Sequence, residues 1–318
     1  MITHREVVAN GIRFHLAEAG EGPLVLLCHG FPESWYSWRH QLPALAAAGF
    51  HAVAPDLRGY GGTDAPAAVD AYHMLHLVGD VVGLVAALGE RQALLVGHDW
   101  GAAVAWQAAL LRPDLFPAVA AMSVPFRPRG AAPPLRTLHK AGLENHYWLY
   151  FQKEGVAEAE FERDPRLALR RMFTGLSGDG SPLSIRPGLG FLDGMTDVPA
   201  LPAWLTDADL DTMTADFVRP GFRGGLNWYR NLDRNWELLA PWAGATIGQP
   251  ALFVAGTKDP VIAPIGGRSP IDVMQAALPQ LAAPVLIDGA GHFIQQERPH
   301  EVNAALLPFL TACARRPS

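Results

Sequence analysis

Val96-Gly97-His98-Asp99-Trp100-Gly101 decides how this 318-residue chain is read. It joins an apolar run, Ala93–Gly97, to a helical pattern over Ala102–Leu111, with glycine on both sides of an acid. Ala93–Leu111 holds one charge in 19 residues, and that charge is Asp99. A lone carboxylate inside an apolar run costs free energy unless something uses it. The flanking glycines permit a tight, strained turn that lifts one side chain to the top of a sheet. An Asp between glycines also suits an ordinary turn or helix N-cap, so the rest of the chain must decide.

Working outward, short β-type runs alternate with longer helical patterns. Arg5–Ala9 and Ile12–Ala17, joined at Asn10-Gly11, predict a hairpin. Leu24–Cys28 reads as a buried central strand, Leu42–Ala48 as a helix, His51–Ala54 as a strand and Ala71–Leu88 as a longer helix. Ala118–Val124 follows as a strand. This alternation implies a mostly parallel sheet with helices on both faces. The rhythm breaks in the Pro/Gly/Arg-rich stretch Arg127–Pro134 and gives way to a helical, aromatic region from Leu135 to Trp236. That region has a Gly/Pro-rich interruption over Thr174–Pro202. Strands return with Ala251–Ala255 and Val285–Ile287, and a helix is expected over His300–Leu310. The expected domains are an α/β core in two pieces, 1–127 and 241–318, and an inserted helical cap over 128–240.

Composition removes several function classes. The chain is 49% hydrophobic and 18% charged, as a folded domain would be, with a net charge of −6. No basic surplus is available for nucleic acid or an anionic membrane. Leu238–Thr257 carries no charge in 20 residues, but Pro241, Pro250 and several glycines make it a connection and a strand, not a membrane span. Met1–Glu6 has no apolar core, so no signal peptide is expected. Cys28 and Cys313 fit no metal spacing and no disulfide framework, which points to a reducing, cytoplasmic setting.

In open parallel sheets, functional groups gather at the carboxyl ends of strands. Asp99 occupies such a position. Asp259 does too, after Ala251–Ala255 in Gly256-Thr257-Lys258-Asp259, as does His292 after Val285–Ile287 in Gly289-Ala290-Gly291-His292-Phe293. Nucleophile, acid, histidine is the chain order of α/β-hydrolases. A carboxylate needs no base to activate it, because it is ionised at neutral pH. It can displace a leaving group at saturated carbon and form an ester, which water deprotonated by His292, oriented by Asp259, would hydrolyse. The backbone N–H groups of Trp100 and Phe31 are the expected oxyanion donors. His98 is expected to be a framework residue, and Cys28 to lie inside a strand. The Asp56–Asp64 loop reads as structural.

Four segments carry a resemblance along nearly the whole chain. They are His29-Gly30-Phe31-Pro32-Glu33-Ser34-Trp35-Tyr36-Ser37-Trp38-Arg39, Asp56-Leu57-Arg58-Gly59-Tyr60-Gly61, Gly97-His98-Asp99-Trp100-Gly101 and Gly291-His292. Together they resemble the soluble-type epoxide hydrolases of the α/β-hydrolase fold. The resemblance implies conversion of an epoxide to a vicinal diol through an alkyl-aspartyl ester, in a detoxification role and without cofactor or metal. It also implies two cap tyrosines that donate protons to the departing epoxide oxygen. Asn145–Gln152 is similar to the first tyrosine segment and assigns Tyr147, leaving Tyr150 to packing or pocket lining. Gly221–Asn231 is similar to the second and assigns Tyr229. Phe31, Trp100, Tyr147, Tyr229, Ile262 and Phe293 are the expected pocket lining around a small epoxide, and a homodimer is left open. The alternative is a haloalkane dehalogenase, which shares the Asp nucleophile and the following Trp. That reading wants a second halide donor where Phe31 stands and has no use for paired tyrosines.

Overall fold

The computed structural model describes residues 1–178, 180, 188–195, 200–264 and 267–315. Eight strands form one sheet: β1 Thr3–Ala9, β2 Ile12–Ala19, β3 Leu24–Cys28, β4 His51–Pro55, β5 Leu94–His98, β6 Val119–Met122, β7 Ala251–Gly256 and β8 Val285–Ile287. Their order is β1-β2-β4-β3-β5-β6-β7-β8. The β1/β2 and β2/β4 pairs are antiparallel, and every pair from β4 to β8 is parallel. The α/β-hydrolase expectation is met.

The central strands are apolar on both faces because helices cover both. In β3, Leu24, Leu26 and Cys28 join a cluster with Leu77 and Leu84 of helix Met74–Ala87 and Trp106 of helix Trp100–Leu111. Val25 and Leu27 point to the other side, against Leu42 and Leu45 of helix Gln41–Ala47 and Leu306 of helix Pro299–Ala314. Burying each such side chain stabilises the fold by roughly 1.5–3 kcal/mol. Cys28 lies wholly within this core, where burial pushes its thiol up to about 12.

Between β6 and β7 the chain leaves the sheet for a run of helices from Pro134–Lys140 to Leu232–Leu238. The Gly/Pro-rich segment 174–202 belongs to this excursion, and its residues 179, 181–187 and 196–199 lie outside the described part. Local details differ from the sequence expectation for definite reasons. The helix expected over Ala71–Leu88 is interrupted at His73, which is extended and caps Met74–Ala87 by accepting the His76 N–H. Strand β6 stops at Met122 because Ser123 turns into the left-handed region at φ +66°. A helix at Pro270–Ala277, between β7 and β8, had no counterpart in the sequence reading. Among the described residues no helix is long and apolar enough to cross a membrane.

Candidate active site

Three loops at the carboxyl ends of β5, β7 and β8 carry Asp99, Asp259 and His292 to one place. Asp99 follows β5 directly and precedes helix Trp100–Leu111, with φ +50° and ψ −119°, a conformation that strains a residue bearing a Cβ. Neighbouring glycine makes the turn possible: a Cβ at Gly101 would overlap the Cys28 carbonyl at the end of β3. A Cβ at Gly30 would strike the Asp99 carboxylate itself, so the turns that follow β3 and β5 can approach this closely because both positions are glycine. The Asp99 carboxylate stays 14% exposed, while the side chains of Asp259 and His292 are 0% and 3% exposed.

The two Asp99 oxygens have different surroundings. Oδ1 accepts the backbone N–H of Phe31 at 2.9 Å, and Oδ2 faces Nε2 of His292 at 3.4 Å. The other imidazole nitrogen, Nδ1, is 3.1 Å from both oxygens of Asp259. Asp259 is itself fixed by the Val261 N–H at 2.9 Å, in the turn Pro260–Ile262. Trp100 is the first residue of its helix, so its N–H has no intrahelical acceptor. Burial opposes a charge on His292, but the Asp259 and Asp99 carboxylates overcome it and raise the imidazole well above its ordinary value.

The cap closes over this group with aromatic rings. Tyr229, on helix Arg223–Arg230, lies edge-on to Trp100 with centroids 5.0 Å apart and to Phe31 at 5.7 Å. Tyr147 starts the short helix Tyr147–Tyr150 and lies 5.9 Å from Tyr229 at 73°. Burial and the nearby Asp99 charge push both phenols well up, so each keeps its proton at neutral pH. Tyr150 turns away and donates to Glu160 at 2.8 Å. Ile262 is half-buried against the same core cluster. Phe293 is fully buried against Phe173, at 4.7 Å, and Trp204, so it backs the wall and shows no open surface.

A buried polar network beneath the site escaped the sequence reading. Glu33, fully buried, accepts Gly30 N–H at 2.9 Å, His98 Nδ1 at 2.7 Å, and the side-chain amides of Gln295 and Gln296. Burial alone would raise Glu33, but His98 and these donors bring it down to about 2. His98 then reaches the His292 carbonyl with Nε2 at 2.7 Å, as does the Ser123 hydroxyl at 2.6 Å. His98 is thus part of the framework, and the Asp56 carboxylate likewise ties its loop together through Trp35 and Gly62 N–H groups. The one signal for Glu33 was its presence in the quoted motif, where a carboxylate follows a wholly apolar strand.

Comparison with known proteins bears directly on this arrangement. Residues 23–299 match the family model described as the alpha/beta hydrolase fold. The chain is 49% identical to epoxide hydrolase A of Mycobacterium tuberculosis, over 99% of each chain. Among solved structures, it superposes on epoxide hydrolase A of Mycobacterium thermoresistibile with TM-score 0.92 and 50% identity, covering 98% of both chains. Potato (Solanum tuberosum) epoxide hydrolase I gives TM-score 0.92 at 40% identity, over 98% of this chain and 100% of that one. The chain belongs to the epoxide hydrolases of the α/β-hydrolase fold.

Proposed function

We propose that the chain opens epoxides to vicinal diols by two half-reactions, with Asp99 as nucleophile. Asp99 Oδ2 forms a bond to an epoxide carbon as that carbon's bond to the ring oxygen breaks. Tyr147 and Tyr229 donate hydrogen bonds to the departing oxygen, and one of them delivers the proton that makes it a hydroxyl. Water, losing a proton to His292 Nε2, then adds to the ester carbon Cγ. Negative charge grows on Oδ1, where the Phe31 N–H already points and the Trp100 N–H is the second donor. Collapse breaks the Cγ–Oδ2 bond; Oδ2 takes up the remaining proton of the added water and leaves as the second hydroxyl of the diol, and the Asp99 carboxylate is restored with the water oxygen in it. Phe31, Trp100, Tyr147, Tyr229 and Ile262 line the substrate space, with Phe293 behind them.

Electrostatics supports the order of the steps. In the resting site the Asp259 and Asp99 carboxylates favour the charged form of His292 against its burial. Alkylation turns Asp99 into a neutral ester, removes one of the charges that raise the imidazole, and leaves a tyrosinate in the cap that takes up the proton His292 then gives up. His292 becomes a base for water only after the ester exists. The observation that carries this reading is the split of Asp99: one oxygen on an amide N–H, the other facing an imidazole held by Asp259. Paired tyrosines beside Phe31 favour an epoxide over a halide leaving group.

On this reading residues 1–127 and 241–318 form the catalytic core and 128–240 the cap. A cytoplasmic location fits a chain with only two cysteines, and the net charge of −6 speaks against a nucleic-acid partner. A homodimer is the assembly to test. Single turnover of styrene oxide in ¹⁸O water tests the route. The diol of the first turnover is expected to carry no label, which should appear instead in the Asp99 carboxylate. Labelled diol at the first turnover would overturn the ester.

A further inference from the structure

His292 is held by its backbone on every side, and one carboxylate outside the proposed site does much of the holding. Glu297, in the short helix Ile294–Glu297, is 7% exposed, and the hydrogen bonds to its carboxylate among the described residues come from backbone amides. Its Oε2 accepts the Gly291 N–H at 2.9 Å and its Oε1 accepts the Phe293 N–H at 3.1 Å, the two amides flanking His292. The same Oε2 accepts the Gly178 N–H at 3.2 Å, from the cap segment that follows helix Pro165–Leu176. Next to it, the His292 N–H donates to the Leu176 carbonyl at 2.8 Å. Cap and histidine loop touch backbone to backbone here: a Cβ at Gly291 would overlap Leu176–Gly178, and one at Gly178 would overlap Gly289.

A buried carboxylate is expensive unless its lone pairs are filled. Three amide donors fill them at Glu297, and all three belong either to the loop of the proposed base or to the cap segment resting on it. Among the described residues no hydrogen bond joins Glu297 to the nucleophile's half of the site: Asp99 is positioned by β5, Gly30 and Phe31. We propose that Glu297 is a positioning residue for the second half-reaction, clamping the His292 loop to the cap so that Nε2 stays aimed at the water that cleaves the ester. The proposal rests on the two-step reading above. It makes hydrolysis, and not alkylation, the step that depends on this one contact between the cap segment and the His292 loop, because a misplacement of about 1 Å can cost on the order of a hundredfold in rate.

The test separates the half-reactions. Rapid-quench intact-mass measurement with styrene oxide reads formation and decay of the Asp99 adduct in wild type, E297Q and E297D. E297Q keeps the size of the side chain but sets an NH₂ against an amide N–H; E297D keeps the charge but falls short of the three donors. Adduct decay should slow by about 10- to 100-fold in both variants, with formation within about threefold of wild type, so adduct accumulates. These rate constants belong to the folded molecules, so a smaller folded fraction lowers the amplitude without mimicking the split. Equal slowing of both steps, or neither, would overturn the positioning role while leaving the ester route intact. If wild type itself forms no adduct, the two-step reading falls and this proposal with it. Should E297Q fail to fold, E297D alone decides, by the same ratio of decay to formation.

Discussion

Core and cap differ in what holds the groups that face the site. In the core, charged side chains sit at strand ends and are fixed by backbone amides and buried partners, as Asp99 is by Phe31 and Glu33 by four donors. In the cap, Tyr147 and Tyr229 are placed by ring packing, with Phe151 and Phe191 among their neighbours at 5–6 Å. Charges on the cap are mostly surface pairs such as Arg166 with Asp207 and Asp211, which contribute roughly 0–1 kcal/mol each. The difference teaches which region controls what. Rigid hydrogen bonding suits the proposed nucleophile, which must keep one oxygen in place through two steps. Aromatic packing suits the proposed proton donors, which must stay neutral.

Removing the cap's chemical contribution should produce the largest effect. The double variant Tyr147→Phe with Tyr229→Phe keeps the ring packing and deletes both hydroxyls. We expect adduct formation from epoxides to fall by about 10³- to 10⁴-fold, with the thermal midpoint nearly unchanged. Each single variant should lose less, and stopped-flow tryptophan fluorescence, with Trp100 beside Tyr229, can follow it. An unimpaired double variant would mean the cap contributes shape alone.

A core charge pair should affect stability instead of chemistry. Arg58 donates twice to Asp80, at 2.8 and 2.6 Å, and once to the Ala71 carbonyl, with both side chains no more than 5% exposed. Arg58→Met leaves Asp80 charged and buried with Asn10 as its remaining side-chain partner. The expected loss is about 3–5 kcal/mol in urea unfolding, with the rates of adduct formation and decay in the folded fraction preserved.

The smallest effect lies where the two regions meet. Asp216, on the cap helix Asp207–Val218, accepts the Ser34 hydroxyl of the core at 2.6 Å. Burial, helped by the Asp56 charge, raises Asp216 to about 6. A raised acid binds its proton more tightly in the folded state, so this site favours folding below the unfolded value and loses that advantage as pH rises through 6. Stability should therefore decline by about 2 kcal/mol from pH 4 to 7 on account of this group, and Asp216→Asn should flatten that part of the curve. A variant with the same pH dependence as wild type would show that the boundary does not titrate there.

The elements most legible in the sequence are those with local causes. Leu24–Cys28 reads as a central strand because five consecutive apolar residues need cover on both faces, and the structure covers both. Gly97-His98-Asp99-Trp100-Gly101 reads as a strained turn because glycine sterics are local, and Asp99 has φ +50° there. The break at His73 and the end of β6 at Ser123 were not legible, since a cap bond and one left-handed residue set them. For the site, the motifs brought Asp99, Asp259, His292, Tyr147 and Tyr229 into view, and these groups do lie around one centre. The Glu33 hub was not found: its link to Gln295 spans 262 positions, and no periodicity or spacing connects them.

By itself, then, the sequence determined the alternation of strands and helices, the helical region that interrupts it and the strained strand-to-helix turn that carries Asp99. Hydrophobic periodicity, glycine and side-chain chemistry act over a few neighbours and can be read one stretch at a time. Tertiary structure alone decided which Asp99 oxygen meets an amide and which meets His292, and that burial and the Asp99 charge raise both phenols. It alone tied Glu297 to Gly178 across 119 positions. Hydrogen bonds and charges act through space over a few ångströms, and only the folded chain sets those distances.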